Sequence, residues 1–92
     1  MSDAQVDRIK KMRFDYRKTS IILTADKEVA KMEFDQLVHS KTVNESAIRE
    51  AGEKIIAVKT KKIRAKVEAK IAVMKLLSDG QRNQVHKMHS SH

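Results

Sequence analysis

Proline is absent from the 92 residues of this chain and glycine occurs only twice, so almost nothing in the sequence interrupts a helix. Long stretches are rich in Ala, Lys, Glu, Ile and Met, while the turn residues that hairpins of strands require are missing. A sheet is therefore not expected. We predict an all-α fold with a single domain over residues 1–92, of which residues 89–92 form a disordered tail.

A stripe of apolar residues predicts a first long helix from Asp3 to about His39. Its members recur at steps of three, four or seven, which places them on one helical face: Val6, Ile9, Met12, Tyr16, Thr19, Leu23, Ala30, Phe34 and Leu37. The apolar, β-branched cluster Ile21–Thr24 leaves open a bend or break near Thr24, which would divide this helix in two.

The pattern stops between Ser40 and Asn44, where the chain is expected to turn. Asn44 can accept a hydrogen bond from an unpaired backbone N–H, and Glu45 complements the positive end of a helix. A second stripe then predicts a helix from Glu45 to about Leu77: Ile48, Gly52, Ile56, Thr60, Ile63, Val67, Ile71 and Met74. Two long helices joined by a short loop predict an antiparallel hairpin, which a short third helix from Ser78 to about Met88 would follow.

Several large apolar residues lie outside these two stripes: Ile21, Ile22, Ile55, Val58 and Val73. Burial of each would contribute about 1.5–3 kcal/mol, which is a large share of the stability of a domain this small. A two-helix hairpin has no further element to cover them. We therefore expect a homodimer in which the hairpins are intertwined or packed against each other.

A short motif, S-D-x-Q, occurs twice, as Ser2–Gln5 and as Ser78–Gln81. It has the pattern of a capping box, in which the serine accepts a hydrogen bond from the N–H three residues on and the glutamine reaches back to the serine's own N–H. The four residues that carry this role are Ser2, Gln5, Ser78 and Gln81. From spacing alone, the two copies are simply well-made helix starts.

The second copy, within Leu77–Arg82, resembles the LTxxQ signature of the Spy/CpxP family, with serine in the threonine position. Met1–Gln5 resembles a first copy that is altered at its leading leucine. The charged segment Lys31–Leu37, the loop and the segment Val43–Ile48 are also similar to the family, so the resemblance spans nearly the whole chain. It implies a cradle-shaped, intertwined dimer in the periplasm. The family includes ATP-independent chaperones, the zinc resistance-associated protein and nickel/cobalt sensors.

The periplasmic expectation requires an export signal, and the start of this sequence, Met1–Gln5, lacks the apolar core of one. We therefore expect the signal to have been removed from this chain. No apolar run reaches the length of about 18 residues that a membrane span requires, so none is expected.

The net charge of +8 is concentrated in two runs. Arg8–Lys18 holds six bases and one acid, Lys54–Lys75 holds eight bases and one acid, and between them Asp26–Glu53 holds seven acids and four bases. In an antiparallel hairpin the two basic runs are expected to merge into one surface for unfolded or acidic protein clients. Its residues are Arg8, Lys11, Arg13, Arg17, Lys18, Lys59, Lys62, Arg64, Lys66 and Lys70.

Two other interpretations of the charge stay open. The basic surface is either a solvated face that keeps the protein soluble, or a nucleic-acid site. Aromatic residues make up only 3% of the chain and no DNA-binding motif is present, which disfavours nucleic acid.

Three histidines at the end of the chain, His86, His89 and His92, lie three residues apart. On a helix this spacing allows His86 and His89, with Met88, to hold a zinc, nickel or copper ion, although a polar tail without a metal fits the same residues. No cofactor is required by any other pattern. Cysteine is absent, and no nucleophile with a base, paired carboxylates or phosphate loop is evident, so we predict a binding protein and not an enzyme.

Overall fold

The computed structural model describes residues 2–77 and 81, and its regular structure there is entirely helical. Helix α1 spans Asp3–Val38, helix α2 spans Glu45–Leu76, and the two pack against each other as a hairpin. Both predicted helices are confirmed, with ends that differ from the predicted ones by at most one residue. Helix α1 is continuous through Thr24, so the hairpin has no break there. The predicted third helix and the tail lie outside the described residues, except for Gln81.

Local hydrogen bonds explain where the two helices begin. Ser2 Oγ accepts from the Gln5 backbone N–H at 3.2 Å, and Gln5 Oε1 accepts from the Ser2 N–H at 3.2 Å, which is the predicted capping box. Asn44 Oδ1 accepts from the Ala47 N–H at 3.1 Å, and Glu45 adds a negative charge to the first turn of α2. Both starts are therefore determined by side chains within three residues of the helix end.

The α1 stripe predicted from the sequence faces α2. Ile9 and Ala30 are buried, and the other members are half-buried, except Thr19, which is exposed. The stripe predicted for α2 is wrong over most of its length, because Ile56, Thr60, Ile63, Val67 and Ile71 are exposed. The face of α2 that turns inward instead carries four alanines, Ala51, Ala65, Ala69 and Ala72, together with Ile55, Val58 and Val73, and all seven are buried or half-buried.

The core of the described hairpin is thin. Its buried hydrophobic residues are Ile9, Ala30, Ala51 and Leu77. Large apolar side chains are exposed on both helices and in the loop: Phe14, Ile21, Ile22, Val29, Met32, Val38, Val43, Ile56, Ile63, Val67 and Ile71. Over the described residues, neither helix contains an apolar stretch suited to crossing a lipid bilayer.

Gly52 lies inside α2, where glycine destabilises a helix. A Cβ atom built there lies 3.8 Å from Phe34 Cε2, which is ordinary van der Waals contact. We therefore expect Gly52→Ala to raise the free energy of unfolding by about 0.5–1 kcal/mol. Urea unfolding followed by circular dichroism measures this change, and a destabilised variant would contradict the packing between Gly52 and Phe34.

Candidate functional site

A groove runs along one side of the hairpin near its open end, the end where α1 begins and α2 finishes. It is lined by Arg13, Tyr16, Lys66, Ala69, Lys70, Val73 and Met74. We call it the basic groove, because three of these described residues are Arg or Lys and none of them is Asp or Glu. The three cations come from both helices, while Tyr16, Ala69, Val73 and Met74 supply the apolar surface between them. The groove therefore combines positive charge with an apolar wall.

A second groove lies on the other side of the same helix contact. It shares Tyr16 and Ala69 with the basic groove but is otherwise lined by Met12, Asp15, Thr19, Ala65, Glu68 and Ala72. Residues two apart on a helix point in nearly opposite directions, so Asp15 and Glu68 lie away from Arg13 and from Lys66. Tyr16 and Ala69 thus form the line that separates a basic side of the hairpin from an acidic one.

Toward the loop, the side of the hairpin that carries Asp15 and Glu68 becomes mixed in charge. A third groove is lined there by Asp26, Val29, Ala30, Glu33, Lys54, Ala57, Val58 and Lys61. Its two lysines face two carboxylates, so the positive charge of α2 is offset on this side. On the basic groove no such acid is present among the described lining residues.

The ten basic residues predicted from the sequence do not all share one surface. Arg13, Lys66 and Lys70 line the basic groove, and helical spacing places Arg17, four residues after Arg13, and Lys59, seven before Lys66, on the same side. Five of the ten residues therefore lie on one side of the hairpin, and their role in binding a client stays a prediction.

The remaining five point elsewhere. Arg8, seven residues before Asp15, lies toward the acidic side, and Lys62 is half-buried on the inward side of α2. Lys18 Nζ lies 5.3 Å from the centre of the Phe14 ring, on the face of α1 that points away from α2. Lys11 precedes Lys18 by seven residues on that outer face, and Arg64 precedes Ile71 by seven on the outer face of α2. These side chains are outside the groove, so the merged basic surface is narrower than predicted.

The two glutamines of the repeated motif meet at the open end of the hairpin. Gln5 Nε2 donates to the backbone oxygen of Leu76 and lies 3.5 Å from Gln81 Oε1. The contact joins the first turn of α1 to the last turn of α2, so the motif does more than begin a helix. Ser78, the other half of the second copy, lies outside the described residues.

The predicted metal ligands His86, Met88 and His89 also lie outside the described residues, and their role stays a prediction from the sequence. Within residues 2–77 and 81, no group of three or more His, Asp or Glu side chains is placed to hold a metal ion.

The apolar half of the groove is not predicted by the sequence pattern. The pattern places Tyr16 and Met74 in the core stripes and Val73 outside them, and it does not single out Ala69. The sequence does contain a signal for it. Ala69 and Val73 each follow a lysine, Lys66 and Lys70, by three positions, and residues three or four apart lie on the same side of a helix, so cations and apolar residues share one strip of α2.

Comparison of the chain with protein-family models, with curated proteins and with solved structures finds no match.

Proposed function

We propose that this protein is a non-enzymatic binding protein that holds unfolded or acidic polypeptides on its basic side, as an ATP-independent chaperone of the Spy/CpxP type. In this proposal it acts in the periplasm as a homodimer. The observation that carries the proposal is the composition of the basic groove, where Arg13, Lys66 and Lys70 surround an apolar wall and no carboxylate is among the described lining residues.

The charges and the apolar wall contribute different parts of such binding. Three cations from two helices attract a negatively charged segment from a distance, which raises the rate of encounter. Tyr16, Val73 and Met74 then provide short-range apolar contact, and a methionine side chain adapts to partners of different shape. Weak contacts of both kinds suit a client that has no fixed structure.

The exposed apolar residues next to the basic side extend this surface. Ile63 and Val67 are exposed on α2 beside Lys59, Lys66 and Lys70. Lysine side chains cover apolar surface with their aliphatic stems while the charged ends stay in water, so such a surface remains hydrated without a client. An unfolded chain would displace these stems and reach the isoleucine and valine.

The proposal is tested by suppression of aggregation of an acidic client whose disulfides are reduced, followed by light scattering. We expect Lys66→Glu/Lys70→Glu to lower the affinity for the client by at least about tenfold, because the double reversal changes the sign of charge at the groove. Suppression by the unmodified protein should weaken as the salt concentration rises toward about 0.5 M, since salt screens exposed charges.

The matched control is Lys54→Glu/Lys61→Glu, which makes the same change of charge on the same helix but on the acidic side. This control should retain suppression. Equal loss in both double variants would mean that only net charge matters and would contradict a groove-based site. Tight retention of a single-stranded DNA oligonucleotide at physiological salt, without suppression of aggregation, would favour nucleic acid instead.

A further inference from the structure

Helix α1 carries a second apolar face, on the side that points away from α2. Phe14, Ile21, Ala25 and Met32 recur at steps of seven, four and seven, so they share one face of the helix, and all four are exposed. Helix α2 does not cover them, and the one described contact on this face is Lys18 Nζ, 5.3 Å from the centre of the Phe14 ring. We call this set the outer face of α1.

Charges along one edge of this outer face change sign halfway along the helix. Lys10, Arg17 and Glu28 each precede an outer apolar residue by four positions, and Asp35 follows Glu28 by seven, so these four side chains form one row. All four are exposed. The row is basic in the first half of α1 and acidic in the second. If two copies of α1 run antiparallel, the basic half of one row therefore faces the acidic half of the other.

We propose that α1 pairs antiparallel with α1 of a second copy of this chain, about a two-fold axis near Leu23. In that register Phe14 lies beside the partner's Met32, and Ile21 beside the partner's Ala25. On the edge, Lys10 lies beside the partner's Asp35 and Arg17 beside the partner's Glu28. A two-fold interface repeats each contact, so every pair occurs twice. Neighbouring residues within each half of the apolar row and of the charged row are seven positions apart, so one alignment of the two helices pairs both rows.

The outer face of α2 is not suited to the same role. Its exposed row, Ile56, Ile63, Val67 and Ile71, lies within Lys54–Lys75, which holds eight bases and one acid. Antiparallel pairing of this segment with itself would set bases against bases, which disfavours association. Charge therefore assigns the dimer contact to α1 and leaves α2 available to a client.

The pairing has a consequence for the basic groove. It places four helices side by side in the order α2, α1, the second α1 and the second α2, and the two-fold axis then stands perpendicular to this layer. Rotation about such an axis does not exchange the two surfaces of the layer, so equivalent sides of the two hairpins lie on the same surface. The two basic grooves would face one way and the two acidic sides the other, so a single client chain would meet both grooves at once.

The register is tested by exchanging charges. Arg17→Glu sets two acids together at both symmetric positions, and Glu28→Arg sets two bases together. We expect each single variant to raise the dissociation constant of the dimer by at least about tenfold and the double variant Arg17→Glu/Glu28→Arg to recover to within about threefold of the unmodified protein. Sedimentation equilibrium measures this, with a dimer mass twice the 10.5 kDa of one chain.

A matched pair of apolar positions tests which helix forms the contact. Ile21 on α1 and Ile63 on α2 are both 64% exposed in the single hairpin. Ile21→Asp should give a monomer, and Ile63→Asp should leave the dimer intact. A helical monomer for the unmodified protein, dissociation by Ile63→Asp but not by Ile21→Asp, or no recovery in the charge-exchanged double variant would each overturn the proposal. None of these measurements involves a client, so their failure is distinguishable from that of the proposed function.

Discussion

Leu77→Ala is expected to lower the free energy of unfolding by about 2–5 kcal/mol, the range for removing a buried leucine side chain. Leu77 is 4% exposed, the lowest value among the buried residues of the described chain. The total stability of a small domain is about 5–15 kcal/mol, and the core here is thin, so this one substitution removes a large share of it. The melting temperature should fall by roughly 10 °C or more.

The position of Leu77 explains why one residue matters so much. Its backbone adopts an extended conformation directly after α2, and its N–H donates to the Met74 oxygen at 3.2 Å. One residue earlier, the Leu76 oxygen accepts from Gln5 Nε2. The burial of Leu77 thus occurs where α1 and α2 are joined at the open end, and the alanine variant loses apolar contact at that junction.

Ile71→Ala is the control for this measurement. Ile71 is six residues earlier and 42% exposed, so its truncation should cost less than about 1 kcal/mol. Both variants are compared by thermal and urea unfolding followed by circular dichroism. A loss at Ile71 as large as the loss at Leu77 would show that the outer face of α2 is buried in solution, and it would contradict the assignment of that face to clients.

Much of the hairpin could be predicted from the sequence because its determinants are local. The starts of both helices depend on Ser2 with Gln5 and on Asn44, and each of these side chains accepts a hydrogen bond from a backbone N–H three residues away. The α1 stripe from Ile9 to Leu37 was also predicted correctly apart from Thr19, because its apolar residues recur at steps of three, four and seven along one face. Signals of this kind do not depend on the partner helix.

The inward face of α2 could not be predicted in the same way. This helix has one face with large residues, among them Ile56 and Ile63, and another with small residues, among them Ala51 and Ala69. Periodicity favours the larger residues, but helices approach more closely where small side chains meet, and the larger side chains of α1 can then fill the space. The choice between the two faces depends on packing across the hairpin, which spacing along one helix does not contain.

The same limit applies to the candidate site. The charge run on α2 pointed to Lys66 and Lys70, and the run on α1 pointed to Arg13. These three side chains line one groove with Tyr16 and Met74 only because of the way the two helices are aligned and rotated against each other. Charge was therefore predictable as a property of each segment, whereas the side on which the charges converge was not.

One pair of substitutions distinguishes the two faces of α2 directly. Ala51 is 6% exposed on the small-residue face, and Ile56 is 57% exposed on the other. We expect Ala51→Leu to lower the free energy of unfolding by about 1–3 kcal/mol, because the added side chain has no room between the helices. Ile56→Ala should change it by no more than about 0.5 kcal/mol.

The opposite packing predicts the opposite result. If the stripe with Ile56 and Ile63 faced α1, Ile56→Ala would leave a cavity and cost about 2–5 kcal/mol, while Ala51→Leu would add an exposed leucine at little cost. Urea unfolding of the two variants measures both effects on one scale. The basic groove depends on the same rotation of α2, since turning Ile56 inward would carry Lys66 and Lys70 away from Arg13. The free energies of unfolding of the two variants therefore also test the geometry of the proposed client site.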